Sequence, residues 1–103
     1  MMMKPFKHID VAQAKVMVES GNVTVVDIRD HAVYMQGHLP GAKSISDDTI
    51  DTFLKETDKQ KPLLCYCYHG ISSQSAANFF AHEGFVDVYS MDGGFEAWRK
   101  QSS

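Results

Sequence analysis

Cysteine is scarce in this chain: Cys65 and Cys67 are the only two among 103 residues. They stand at i and i+2, where an extended backbone sets the Cα atoms roughly 6.5–7 Å apart. That is at or beyond the reach of a disulfide unless the chain bends. Reduced thiols in a cytoplasmic protein are the expectation. Long apolar runs are also missing. None approaches the ~20 residues that cross a bilayer, and Met1 to His8 lack the apolar stretch of a signal peptide. Positive charge is in short supply: 10 Lys and Arg face 13 Asp and Glu, giving a net charge of −3 and a pI near 5.9. That balance disfavours a nucleic-acid partner, and the lack of a span disfavours a membrane. What is present fits an ordinary globular protein, with 44% apolar and 22% charged residues. A chain of this length is expected to form one domain, 1–103, burying roughly 60–70% of its unfolded surface.

The pattern alternates strand and helix. Strands are expected at 6–9, 23–28, 42–45, 63–67 and 86–89, the second and fourth as β-branched or continuous apolar runs. Helices are expected at 11–19, 30–36, 49–56, 73–83 and 95–100. Asp10 with Gln13 has the form of a capping box, and Gly21, Gly37 and Gly84 supply stops. His38-Leu39-Pro40-Gly41 and Asp92-Gly93-Gly94 read as turns. Such alternation implies an α/β fold with a mainly parallel, roughly five-stranded sheet covered by helices on both faces.

Chemistry is expected beyond the carboxyl ends of the strands. There an apolar strand runs into Cys67, followed by Tyr68-His69-Gly70-Ile71-Ser72 and a helix beginning near Ser73. A thiol in that position faces first-turn amides and the positive end of a helix dipole, and both favour thiolate. An ordinary thiol with a pKa of ~8.5 is about 3% ionised at pH 7; one lowered to ~6.5 is roughly three-quarters ionised. Gly70 lets the loop curl so that its amides converge into an anion nest. Cys65 lies inside the strand and reads as a small core residue. A zinc site built on Cys65, Cys67 and His69 is the weaker alternative. Its spacing is not the usual one, and a fourth ligand is missing.

Four segments in order resemble those of single-domain rhodaneses, in particular the small bacterial thiosulfate sulfurtransferases of the GlpE type. They are Asp27-Ile28-Arg29, Gly37-His38-Leu39-Pro40-Gly41-Ala42, the loop from Cys67 to Ser73, and Gly93-Gly94-Phe95-Glu96-Ala97-Trp98. The resemblance covers nearly the whole chain. It implies the rhodanese-like three-layer fold, a catalytic Cys67, and a substrate-binding loop of Tyr68, His69, Gly70, Ile71, Ser72 and Ser73 whose amides cradle the transferred sulfur. It also implies thiosulfate as donor and, as acceptor, cyanide in vitro or a dithiol protein such as thioredoxin. No cofactor and no metal are implied. Many relatives hold Arg or Lys in this loop, whereas this one has Tyr68 and His69. Ile71 replaces a commonly polar Asn.

The remaining residues have plainer readings beside the functional ones. Asp27 and Arg29 form either a surface ion pair worth under ~1 kcal/mol or a support in which Arg29 orders the loop. His38 reads as a hydrogen-bonding turn residue and Trp98 as core. His69 either assists an anion when protonated or sits idle on an exposed loop. Two rival functions remain. A phosphatase of the Cys-x5-Arg type would need Arg where Ser73 stands, to clamp phosphate. A sulfur-carrier or binding module acting with a protein partner would keep Cys67 without independent turnover.

Overall fold

The computed structural model describes residues 5–102; residues 1–4, which enter the signal-peptide reading, lie outside them. In chain order the elements are β1 (Lys7–Ile9), α1 (Val11–Ser20), β2 (Thr24–Asp27), α2 (His31–Gln36) and β3 (Lys43–Ser44), then α3 (Ile50–Glu56), β4 (Leu63–Tyr66), α4 (Ser72–His82), β5 (Val88–Met91) and α5 (Gly94–Ser102). Asp10 opens α1 through the expected capping box: its carboxylate accepts from Gln13 N at 2.8 Å, and Gln13 Oε1 accepts from Asp10 N at 3.0 Å. Gly21, at φ +76°, ends that helix in the left-handed region.

The five strands form one sheet in the order β1-β5-β4-β2-β3, and every pairing is parallel. β4 is central and buried throughout, which is why it lacks a polar alternation. Its side chains alternate between two cores. Leu64 and Tyr66 join Val25, Met91, Ala14 and Trp98 on one face, and Leu63 and Cys65 join Val26, Phe53, Ala77 and Phe80 on the other. Trp98 is core, as expected.

The last strand lies two residues further along than the pattern suggested. Val86 is exposed and β5 runs Val88–Met91. That register sets Tyr89 beside Lys7 and Ser90 beside Cys65, so β5 can pair with β1 and β4 at once. The expected 42–45 strand contracts to Lys43–Ser44, because it is an edge paired only with β2. β4 stops at Tyr66, which releases Cys67 into the loop.

Candidate active site

β2 and β4 are neighbours, but the chain leaves them towards opposite faces. α2 sends Tyr34 to the core beneath α1 and α5, whereas α4 sends Ala77 and Phe80 to the other core. Such a divergence opens a crevice at the carboxyl ends of the strands. A cleft of about 490 Å³ lies there, lined by Ile28, Arg29 and Asp30 after β2 and by Cys67, Tyr68 and Ser72 after β4. A larger cleft of about 690 Å³ shares Ile28, Arg29 and Asp30 but is otherwise walled by residues such as Ile45, Ile50 and Phe79, without a cysteine. Cys67, the candidate nucleophile, marks the smaller one.

Cys67 Sγ is buried and accepts hydrogen bonds from the amides of Gly70 and Ser73, each at 3.2 Å. Burial alone would push this thiol up. The hydroxyl and amide of Ser73, with the amides of Gly70 and His69, outweigh it and bring the Cys67 pKa below its ordinary value. Cys65 behaves oppositely. Burial, reinforced by the charge of Cys67, pushes it up to about 12, and its thiol meets the carbonyls of Ser73 and Tyr89 at 3.5 Å. The reading of one nucleophile and one core thiol therefore has a physical basis. Among the described residues, no three His, Cys, Asp or Glu side chains group as metal ligands.

The loop is shaped from outside by the start of α5. Phe95 N donates to Cys67 O at 2.9 Å, and Glu96 N donates to Tyr68 O at 3.0 Å. A trans peptide points its C=O and N–H in opposite directions. Drawing the Tyr68 carbonyl towards α5 therefore turns the His69 amide back towards the sulfur. The approach is too close for any side chain at Gly94, where a Cβ would lie 2.5 Å from the carbonyl oxygens of both Cys67 and Tyr68. Gly70 is equally confined, at φ +89°, with a Cβ position 2.7 Å from Gly93 N. Of the loop residues, Gly70 and Ser73 donate their amides to the sulfur, and the His69 amide helps to hold its pKa down. Tyr68 and Ile71 form an exposed rim, Ile71 at 74% exposure.

The surface-pair alternative for Asp27 and Arg29 is corrected by burial. Asp27 is fully buried, and the Arg29 side chain is 5% exposed. Arg29 grips the carboxylate through Nε at 3.0 and 3.1 Å and Nη2 at 2.6 Å, and its backbone N–H adds a bond at 2.8 Å. Nη2 also donates to the Gly37 carbonyl at 2.7 Å, and the guanidinium lies 4.1 Å from the Phe95 ring centroid. Tyr66 completes the network: its hydroxyl donates to Asp27 Oδ2 at 2.6 Å and accepts from Leu39 N at 3.1 Å. The strand register, which sets Asp27 beside Tyr66, makes this contact. His38 takes its expected structural place, bonding the Tyr34 carbonyl at 2.8 Å and stacking on that ring at 3.9 Å.

Sequence reasoning missed Tyr66, Phe95 and Arg99. A tyrosine in a fully buried strand signals a hydroxyl in need of a partner, and the Asp ending the strand beside it was the available one. Arg99 lines a cleft of about 210 Å³ together with Arg29 and Tyr68, so fixed positive charge reaches the site's edge from α5 rather than from the loop. It is opposed by Glu96. That carboxylate accepts from the Tyr68 hydroxyl at 2.5 Å and pairs with Arg99 and Lys100, and the Tyr68 bond foremost holds its pKa down to about 2.

A strand-end thiol in an amide cradle, at the divergence of two parallel strands, makes Cys67 the candidate nucleophile. The chain belongs to the rhodanese-like domain family, which it matches over residues 10–101, and its class is sulfurtransferase. It is 46% identical over 93 residues to the thiosulfate sulfurtransferase GlpE of Pseudoalteromonas translucida, covering 90% of this chain and 89% of that one. The thiosulfate sulfurtransferase GlpE of Shewanella oneidensis is 44% identical over 101 residues, covering 98% of this chain and 100% of the relative. Among solved structures, a rhodanese-like domain protein from Staphylococcus aureus superposes with a TM-score of 0.77 at 30% identity, covering 90% of this chain and 91% of its own.

Proposed function

We propose that the protein moves sulfane sulfur from thiosulfate to a thiophilic acceptor by a ping-pong route through Cys67. The Cys67 thiolate attacks the outer sulfur of thiosulfate. The S–S bond of the donor breaks, and sulfite leaves with the bonding electron pair. Cys67 then carries a persulfide, whose terminal sulfur is stabilised by loop N–H groups as an oxyanion is in an oxyanion hole. Cyanide, or a thiolate of a dithiol protein such as thioredoxin, attacks that terminal sulfur and returns Cys67 as thiolate. The preformed thiolate removes the need for a general base. The site of action is the cytoplasm on this reading, and no helix among the described residues is long and apolar enough to cross a membrane.

The observation that supports this most is the pair of 3.2 Å amide donors on Cys67 Sγ. The identity to proteins named thiosulfate sulfurtransferase supports the donor. Against a phosphatase stands Ser73, which occupies the place of the arginine that would clamp phosphate. Steady turnover of thiosulfate with cyanide, absent from Cys67→Ser, is expected, with no hydrolysis of aryl phosphates. Phosphatase turnover that disappears in Cys67→Ser would overturn the proposal.

A further inference from the structure

Behind the loop, Ser73 and Ser90 are both fully buried, and their hydroxyl oxygens lie 2.8 Å apart. Ser90 reaches this point because the β4–β5 register places it beside Cys65, under the first turn of α4. Two hydroxyls carry two protons, and only one can occupy the bond between them. Among the described residues the Ser90 hydroxyl has Ser73 as its sole hydrogen-bond partner. Were Ser73 the donor, the Ser90 proton would be left in the core without an acceptor. A buried donor left unmet costs about 1–3 kcal/mol, so the opposite polarity is the consistent one. Ser90 donates to Ser73, and the Ser73 proton is free for another acceptor. The sulfur of Cys67 already accepts the Ser73 amide at 3.2 Å, and the Ser73 hydroxyl acts on the same atom.

We propose that Ser90 is a positioning residue for sulfur transfer: it donates to the Ser73 hydroxyl and so fixes that hydroxyl as a donor to the Cys67 sulfur. The relay runs Ser90 Oγ–H to Ser73 Oγ, then Ser73 Oγ–H to Cys67 Sγ. No proton leaves the chain. Its task is to add a fixed hydroxyl donor to the loop amides that hold the sulfur's negative charge. Hydrogen bonds in such a chain polarise one another, and one ending on an anion is the strong kind. The proposal rests on the reading of Cys67 as the sulfur nucleophile, and it adds a β5 residue outside the loop to the machinery.

The test is the pH dependence of Cys67 alkylation by iodoacetamide, read by peptide mapping, in the intact protein and in Ser90→Ala and Ser73→Ala. Thiolate reacts and thiol does not, so the rate rises with pH through the folded-state pKa. Both variants are expected to move the midpoint upward and to slow alkylation at pH 7 by about three- to tenfold, as half to one pKa unit requires. Ser73→Ala should show the larger shift, since it removes the direct donor. Midpoints unchanged in both folded variants, with only the melting temperature lowered, would reduce the pair to core packing and overturn the proposal. A shift in Ser73→Ala alone would also overturn it, by leaving Ser90 without a role. If Cys67 of the unmodified protein titrates as an ordinary thiol, the nucleophile reading fails first and takes the relay with it.

Discussion

Replacing Gly94 by alanine tests whether α5 shapes the loop. The added Cβ would stand 2.5 Å from the carbonyl oxygens of Cys67 and Tyr68 and 2.6 Å from the Tyr68 carbonyl carbon. Ordinary carbon–carbon contacts begin near ~3.5 Å, so loop and helix must part by about 0.8–1 Å. Gly94 also sits at φ +60°, a region that costs an L-residue about 1–2 kcal/mol. Phe95 N and Glu96 N would then lose their grip on the two carbonyls, and the amides facing Cys67 would rotate out of line. A displacement of ~1 Å at reacting groups lowers rates by about a hundredfold. Gly94→Ala is therefore expected to lose about 2–5 kcal/mol of stability while losing about a hundredfold in sulfur-transfer kcat/KM. Urea unfolding gives the first number and thiosulfate–cyanide kinetics the second. A folded variant with activity within a factor of about two of the parent would refute the claim that the loop is held in register by α5.

Two further outcomes follow from the network and the rim. Tyr66→Phe strips the hydroxyl that bonds both Asp27 and Leu39 N; it should lower stability by about 2–4 kcal/mol, seen as a lower urea midpoint at unchanged slope, and a loss under about 0.5 kcal/mol would mean the hydroxyl is surplus. Tyr68→Arg places a cation beside the entrance, where a unit charge ~6 Å from a unit charge in water-like surroundings is worth about threefold in binding. Glu96, now bonded to Tyr68, would claim part of that charge. The KM for thiosulfate should therefore fall less in the single variant than in Tyr68→Arg/Glu96→Gln, and both gains should shrink with added salt. A KM unchanged at low salt in the folded double variant would show that entrance charge does not govern donor capture.

Much of the site was legible because its signals are local. A thiol at the end of an apolar run, a glycine three residues on and a helix start are adjacent in sequence, and they sit adjacent in space. The capping box at Asp10 was legible for the same reason. The Asp27–Arg29 network was not, because its burial depends on distant residues. Arg29 is covered by Phe95, anchored by the Gly37 carbonyl and flanked by Tyr66. Two charges at i and i+2 look the same on a surface as in a core. The start of β5 differs because Val86 has strand propensity but stays exposed outside the sheet. Pairing with β1 and β4 decided its register instead.

The central claim is that Cys67, and not Cys65, carries the sulfur. Intact mass before and after a stoichiometric exposure to thiosulfate, followed by peptide mapping, tests it most directly. Cys67 has amide donors and a lowered pKa, whereas Cys65 is fully buried and pushed up to about 12. The parent and Cys65→Ser should each gain the mass of one sulfur atom, mapped to Cys67 and released by cyanide, while Cys67→Ser gains nothing. Added sulfur on Cys65, or equal loss of uptake in folded forms of both variants, would contradict the account.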